Sequence, residues 1–170
     1  MYSSPNLIAK YVRVLQKAEN QYGSFLNVFG FKASNLELIN YLKQLHHRAA
    51  DNQKKLTKII SVLHPPGTEH SADGLKGIFK EGYYMINGET DAYTIDSIIV
   101  FSVIQASYYK INHYLQLLTY LKQTYYTKLG SMIEEIIEEE ESSLLQLQEL
   151  QVLLHRNAIA NDTVVDQFVH

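Results

Sequence analysis

Residues 133–147 read "IEEIIEEEESSLLQL", with an unbroken glutamate run from Glu138 to Glu141 set between apolar residues. A metal-binding carboxylate cluster, a solvated helix face and an acidic segment for a basic partner would all look like this. Helical phase separates them. At about 100° per residue the run cannot all face one way. Ile133, Ile136, Leu144 and Leu147 set an apolar stripe; Glu138 points away from it, Glu139 and Glu141 lie on its flanks, and Glu140 falls in its middle. The segment predicts an amphipathic helix that turns most of its acids to water and one carboxylate to a core.

The same periodicity recurs along the chain, and strand alternation is nowhere sustained. A first helix is expected from about Asn6 to Phe29, with Ile8, Val12, Leu15, Tyr22 and Leu26 inward and Glu19 in phase with them. A second opens at "SNLE" (34–37), where Ser34 caps and Glu37 reaches back. Its stripe is Leu38, Leu42, Leu45, Ala49, Leu56 and Ile60, and "HPPG" at 64–67 ends it. A shorter helical piece follows in "DGLKGIFKEGYYMI" (73–86). The third long helix covers about Tyr93 to Thr124, with Ile99, Val103, Ala106, Tyr114, Leu117 and Leu121 inward. The fourth covers about Tyr126 to His155, and Leu129 and Leu154 extend its stripe. Residues 157–170 lack a sustained period and read as a C-terminal tail on a core of about 6–156. The expected fold is all-α: one domain over 1–170, a four-helix bundle whose long crossover connection carries a short extra helix.

Composition narrows the function. The 170 residues, 46% of them hydrophobic, suffice for one sizeable core. A formal net charge of −3 creates no general attraction for nucleic acid. The chain has no cysteine, which excludes disulfides and thiol catalysis. "MYSSPNLIAK" lacks the pattern of a signal peptide, and no apolar run is long enough to cross a bilayer. The expectation is a cytoplasmic protein with neither membrane nor nucleic acid as partner. No Gly-rich phosphate loop, nucleophile elbow or basic patch is visible.

Inward glutamates on two helices, Glu19 and Glu140, admit two readings. One is a carboxylate metal site, which needs several acids, usually with histidines, to match the charge of divalent ions. The other is a pair of buried acids neutralised by a lysine or arginine.

Four stretches bear on the choice: "AENQ" (18–21), "DGLKGIFKEGYYMI" (73–86), "DSIIVFSVIQASYYKINHY" (96–114) and "IIEEEESSL" (136–144). In order and spacing the chain resembles the YciE/YciF-type bacterial proteins, a ferritin-like family of unsettled function. The resemblance covers nearly the whole chain and implies a ferritin-like bundle.

Carried over residue by residue, the resemblance implies a divergent member with most metal-ligand positions replaced. Glu19 keeps a family glutamate, and Glu139 and Glu140 keep a family pair. Leu45 and Arg48 stand where the family's second helix has a histidine and a glutamate. Ser107 and Lys110 stand where its third helix has two glutamates, and Leu144 replaces an aspartate. No metal ligand, cofactor or catalytic residue is therefore assigned. The expected remnant is an ion-pair network of Glu19, Arg48, Ser107, Lys110, Glu139 and Glu140. Snorkelling of Arg48 and Lys110 to the bundle surface is the alternative. Rival functions are a residual carboxylate/histidine site for iron or manganese, and a small-molecule binder in a vacated cavity.

His46 and His47 are adjacent on a helix and diverge by about 100°, which makes a shared ligand role poor geometry. His113 reads as a hydrogen-bonded bundle residue. The thirteen tyrosines suit helix flanks and subunit interfaces. With off-stripe Phe25, Leu145 and Val152, they give the expectation of a homodimer. The resulting reading is a non-catalytic bundle protein with a structural or interaction role in stress physiology.

Overall fold

The computed structural model describes residues 5–63 and 72–168, with the backbone alone at 5 and 160–168. Five helices follow in order: α1 (Pro5–Lys32), α2 (Leu36–Leu63), α3 (Asp73–Ile86), α4 (Ala92–Leu121) and α5 (Thr127–Phe168). The long ones, α1, α2, α4 and α5, form the bundle, and α3 rides on the crossover from α2 to α4. α5 continues past His155 through the segment read as a tail. The "HPPG" stretch lies outside the described residues. Among the described residues no helix is long and apolar enough to cross a membrane.

The sequence mislocates one cap. Asn35, not Ser34, caps α2: its Oδ1 accepts from the Leu38 N–H at 2.9 Å. Ser34 is drawn instead to Asp96 of α4, a charged and better acceptor. One Asp96 oxygen takes the Ser34 N–H at 2.8 Å; the other takes the Ser34 hydroxyl at 2.8 Å and the Asn35 N–H at 2.9 Å. This carboxylate ties the α1–α2 connection to the start of α4. Asp91 caps α4 through the Thr94 N–H at 2.7 Å, and the α3–α4 turn passes through Gly88 at φ 88°, a conformation that favours glycine.

α3 is held by aromatic packing and one close approach. Phe79 stacks on Phe25 at 4.7 Å between centroids and meets Phe29 edge-on at 5.6 Å. Phe25, read as an outward residue, is thus covered by α3. A Cβ at Gly82 would fall 2.1 Å from the Ser102 Oγ, which is how α3 approaches α4 so closely. The covered second face of α4 explains why Val100 and Ile104 are buried beside its main stripe.

The core divides lengthwise into two apolar clusters. One gathers Tyr22, Phe29, Leu42, Phe79, Val103 and Leu147; the other gathers Val12, Leu15, Leu56, Tyr114, Leu117 and Ile133. On each long helix the switch from one cluster to the other is marked by a buried polar residue: Glu19, Asn52, Lys110 and Glu140. Past Asn52 the α2 stripe runs through Leu56 to Ile59; Ile60, named from the sequence, is only partly buried.

Candidate functional site in the bundle core

These residues form one cluster. Lys110 Nζ lies 3.0 Å from Glu19 Oε2 and 2.9 Å from Glu140 Oε1, and all three side chains are 0–2% exposed. Only the Glu140 contact is an aligned hydrogen bond; Glu19 Oε2 is paired by charge without one. Asn52 bridges the acids, its Nδ2 donating to Glu140 Oε1 at 2.9 Å and to Glu19 Oε1 at 3.2 Å. The Tyr114 hydroxyl donates to Glu19 Oε1 at 2.7 Å. The ammonium also lies 3.8 Å from the Tyr22 ring centroid, a cation–π contact. Ser107 donates to the Val103 carbonyl at 2.9 Å, so at 3.2 Å it is the acceptor for the Tyr22 hydroxyl.

Two carboxylates share one ammonium, which leaves the fully ionised set one negative charge in excess. Burial pushes the Glu19 carboxyl up; Lys110 opposes this, Glu140 adds to it and the Tyr114 hydroxyl opposes it, for a pKa of about 7. A proton on Glu19 brings the set to neutrality. Burial alone would lower the Lys110 pKa, but Glu140 and Glu19 outweigh it and raise it, so the ammonium persists. The Tyr22 and Tyr114 hydroxyls are raised chiefly by burial and remain neutral donors.

Arg48 and Glu139, expected in the network, stand outside it. Arg48 is half-buried and reaches past the core to donate Nη1 to the Glu139 carbonyl at 3.2 Å. A guanidinium on a long stem at the stripe's flank can keep its charge in water. The exposed Glu139 carboxylate pairs with Lys55 of α2 at 3.3 Å. Ser107 joins only indirectly, through Tyr22.

Asn52 was missed, although the α2 stripe carries its trace. Ala49 and Leu56 are seven residues apart, and the inward position between them is 52. Tyr22 and Tyr114 were read as stripe residues for their rings, while their hydroxyls do the polar work. Of the histidines, His46 Nδ1 contacts the Gly23 carbonyl at 2.9 Å and His113 Nδ1 the Tyr109 carbonyl at 2.8 Å. Each points at a backbone acceptor, away from the carboxylates.

The donor set does not fit a pair of divalent ions. Two carboxylates and one amide converge, and an ammonium occupies the space between the acids. Among the described residues no three His, Asp or Glu side chains are grouped to hold a metal.

The comparisons agree with this architecture. The crystal structure of the E. coli stress protein YciF matches with a TM-score of 0.85 at 16% identity, over 92% of this chain and 99% of that one. YcfI, described as "a putative structural protein from Rhodopseudomonas palustris", matches at 0.79 and 18% identity, over 87% of this chain and 98% of that one. At these identities the likeness concerns the fold, a ferritin-like helical bundle. No curated protein matches the chain. The family model described as "Domain of unknown function (DUF892)" matches residues 7–160, and the chain belongs to that YciE/YciF-type family.

Proposed function

We propose that this protein is a non-catalytic ferritin-like bundle in which Lys110 takes the place of metal charge, and that it serves a structural or interaction role. The observation that carries this reading is the Lys110 ammonium within 3.0 Å of both core carboxylates at 0% exposure. A divalent ion at that spot would meet a cation that has no route to water. Lys110 then serves stability, because without it Glu19 and Glu140 would be buried with no countercharge. A cytoplasmic location and a homodimer belong to the same proposal, and the stress role is suggested by the description of the E. coli relative.

Elemental analysis of the purified protein tests the metal side. The expected result is no stoichiometric iron or manganese; two metals per chain would overturn the reading. Lys110→Glu, melted with and without manganese, tests the charge side. Without metal it is expected to melt well below the parent, since three carboxylates would then share the core, and manganese is expected to recover part of the loss. An unchanged melting temperature in metal-free buffer would mean that Lys110 does not hold the two acids.

A further inference from the structure

Helix α2 carries a second polar constellation, on its outer face. Lys54, Lys55 and Lys58, with Arg48 and His47, line an open cleft of about 740 Å³ against α5, where four side-chain cations face the carboxylates of Asp51 and Glu139. The cleft is locally basic in a chain of net charge −3. In sequence these residues are scattered over 47–58, and the turn of the helix collects them on one side.

Both carboxylates already have partners. Asp51 accepts from Lys54 at 2.8 Å, with both side chains largely exposed, and such a pair exchanges easily for a stronger anion. Glu139 holds Lys55 with its carboxylate and Arg48 with its backbone carbonyl, so these two cations are positioned beforehand at the α5 side of the cleft. Lys54 and Lys58 stand one turn apart on the exposed side of α2, about 6 Å between Cβ atoms, so two long flexible ammonium stems can converge on one anion. Arg48 adds the planar fork suited to phosphate oxygens.

We propose that this cleft is a binding site for a compact, multiply charged phosphate ligand. The charges that recognise the ligand lie within about three turns of α2 and one residue of α5, a compact patch that suits a small molecule. The exposed Glu135, one turn along α5 from Glu139, would repel a long polyanion laid across the seam. This site is independent of the buried cluster and of the function proposed from it.

Calorimetry with tripolyphosphate at low salt tests the inference on the full chain. One site per chain is expected, weakened at least tenfold in Lys54→Gln/Lys58→Gln and weakened in the parent as salt is raised. Lys76→Gln/Lys80→Gln, which removes equal charge from exposed positions on α3, is expected to bind like the parent. Both variants change only surface residues, and circular dichroism checks that they fold. Absence of binding by the parent, or equal weakening in the two variants, would overturn the proposal. So would tighter binding of a 20-base-pair DNA duplex than of tripolyphosphate, which would mark a nucleic-acid surface instead.

Discussion

A single proton decides how the buried cluster behaves. Glu19 titrates at 4.5 in its ordinary state and at about 7 here, through burial first and Glu140 besides. Between those values the folded chain holds a proton that the unfolded chain has released. Stability therefore falls as pH rises through that window, by about 3 kcal/mol in all, and stays at the lower level above it. The raised Lys110 pKa acts elsewhere: its contribution is complete below the ordinary lysine range and is lost only in strong alkali. Glu19→Gln is expected to remove the Glu19 dependence, leaving the variant close to the parent near pH 5 and more stable at pH 8. Urea unfolding of both proteins from pH 5 to 8 measures this. Parallel curves would show that Glu19 carries no proton in the fold at neutral pH.

Among the elements, the ends of α2 and α4 depend on one another through Asp96. Its carboxylate accepts three bonds from Ser34 and Asn35 while only 3% exposed. Asp96→Ala strands those donors at a part-buried site and is expected to cost about 3 kcal/mol. Asn35→Ala removes a single capping bond and is expected to cost about 1 kcal/mol. Denaturant midpoints of the two variants, read with the parent, separate a clamp between helices from an ordinary cap. Equal losses would reduce Asp96 to a cap-strength contact. The sequence marked this corner as a helix start, but the residue that anchors it lies some sixty positions downstream, beyond the reach of local pattern.

At the scale of the whole molecule, α2 and α5 leave an open groove of about 1080 Å³ between them, lined in part by Leu36, Tyr41, Leu145, Val152 and Leu153. Leu145 and Val152, read as outward from the sequence, are 62% and 50% exposed, and Leu36 is 71% exposed. This is apolar surface of the kind that self-association covers. Leu145→Asp/Val152→Asp is expected to be monomeric by light scattering at high micromolar concentration, beside a dimeric parent. A parent that is monomeric at that concentration would remove the homodimer from the proposal, and a dimeric variant would move its interface elsewhere.

The sequence by itself determined where the five helical segments lie, most of their inward positions and the two buried acids, but not the run of α5 past His155 or the second buried face of α4. What it determined follows from a 3.6-residue period that each segment carries alone, so Glu140 can be picked from its run with no knowledge of its neighbours. It also held the trace of Asn52, as an unfilled step in the α2 stripe. Only the tertiary structure decided which cation meets the acids. By sequence both Arg48 and Lys110 were candidates: phase sets Lys110 mid-stripe and Arg48 at a flank, but it specifies direction and not reach. In the fold, Lys110 sits mid-stripe on α4, walled by α1 and α5, and its shortest path leads to the carboxylates. Arg48 sits at a flank where its stem reaches the surface of α5. Phase on each helix sets the direction of the stem; enclosure, a property of how four helices pack, sets what the charged end can reach.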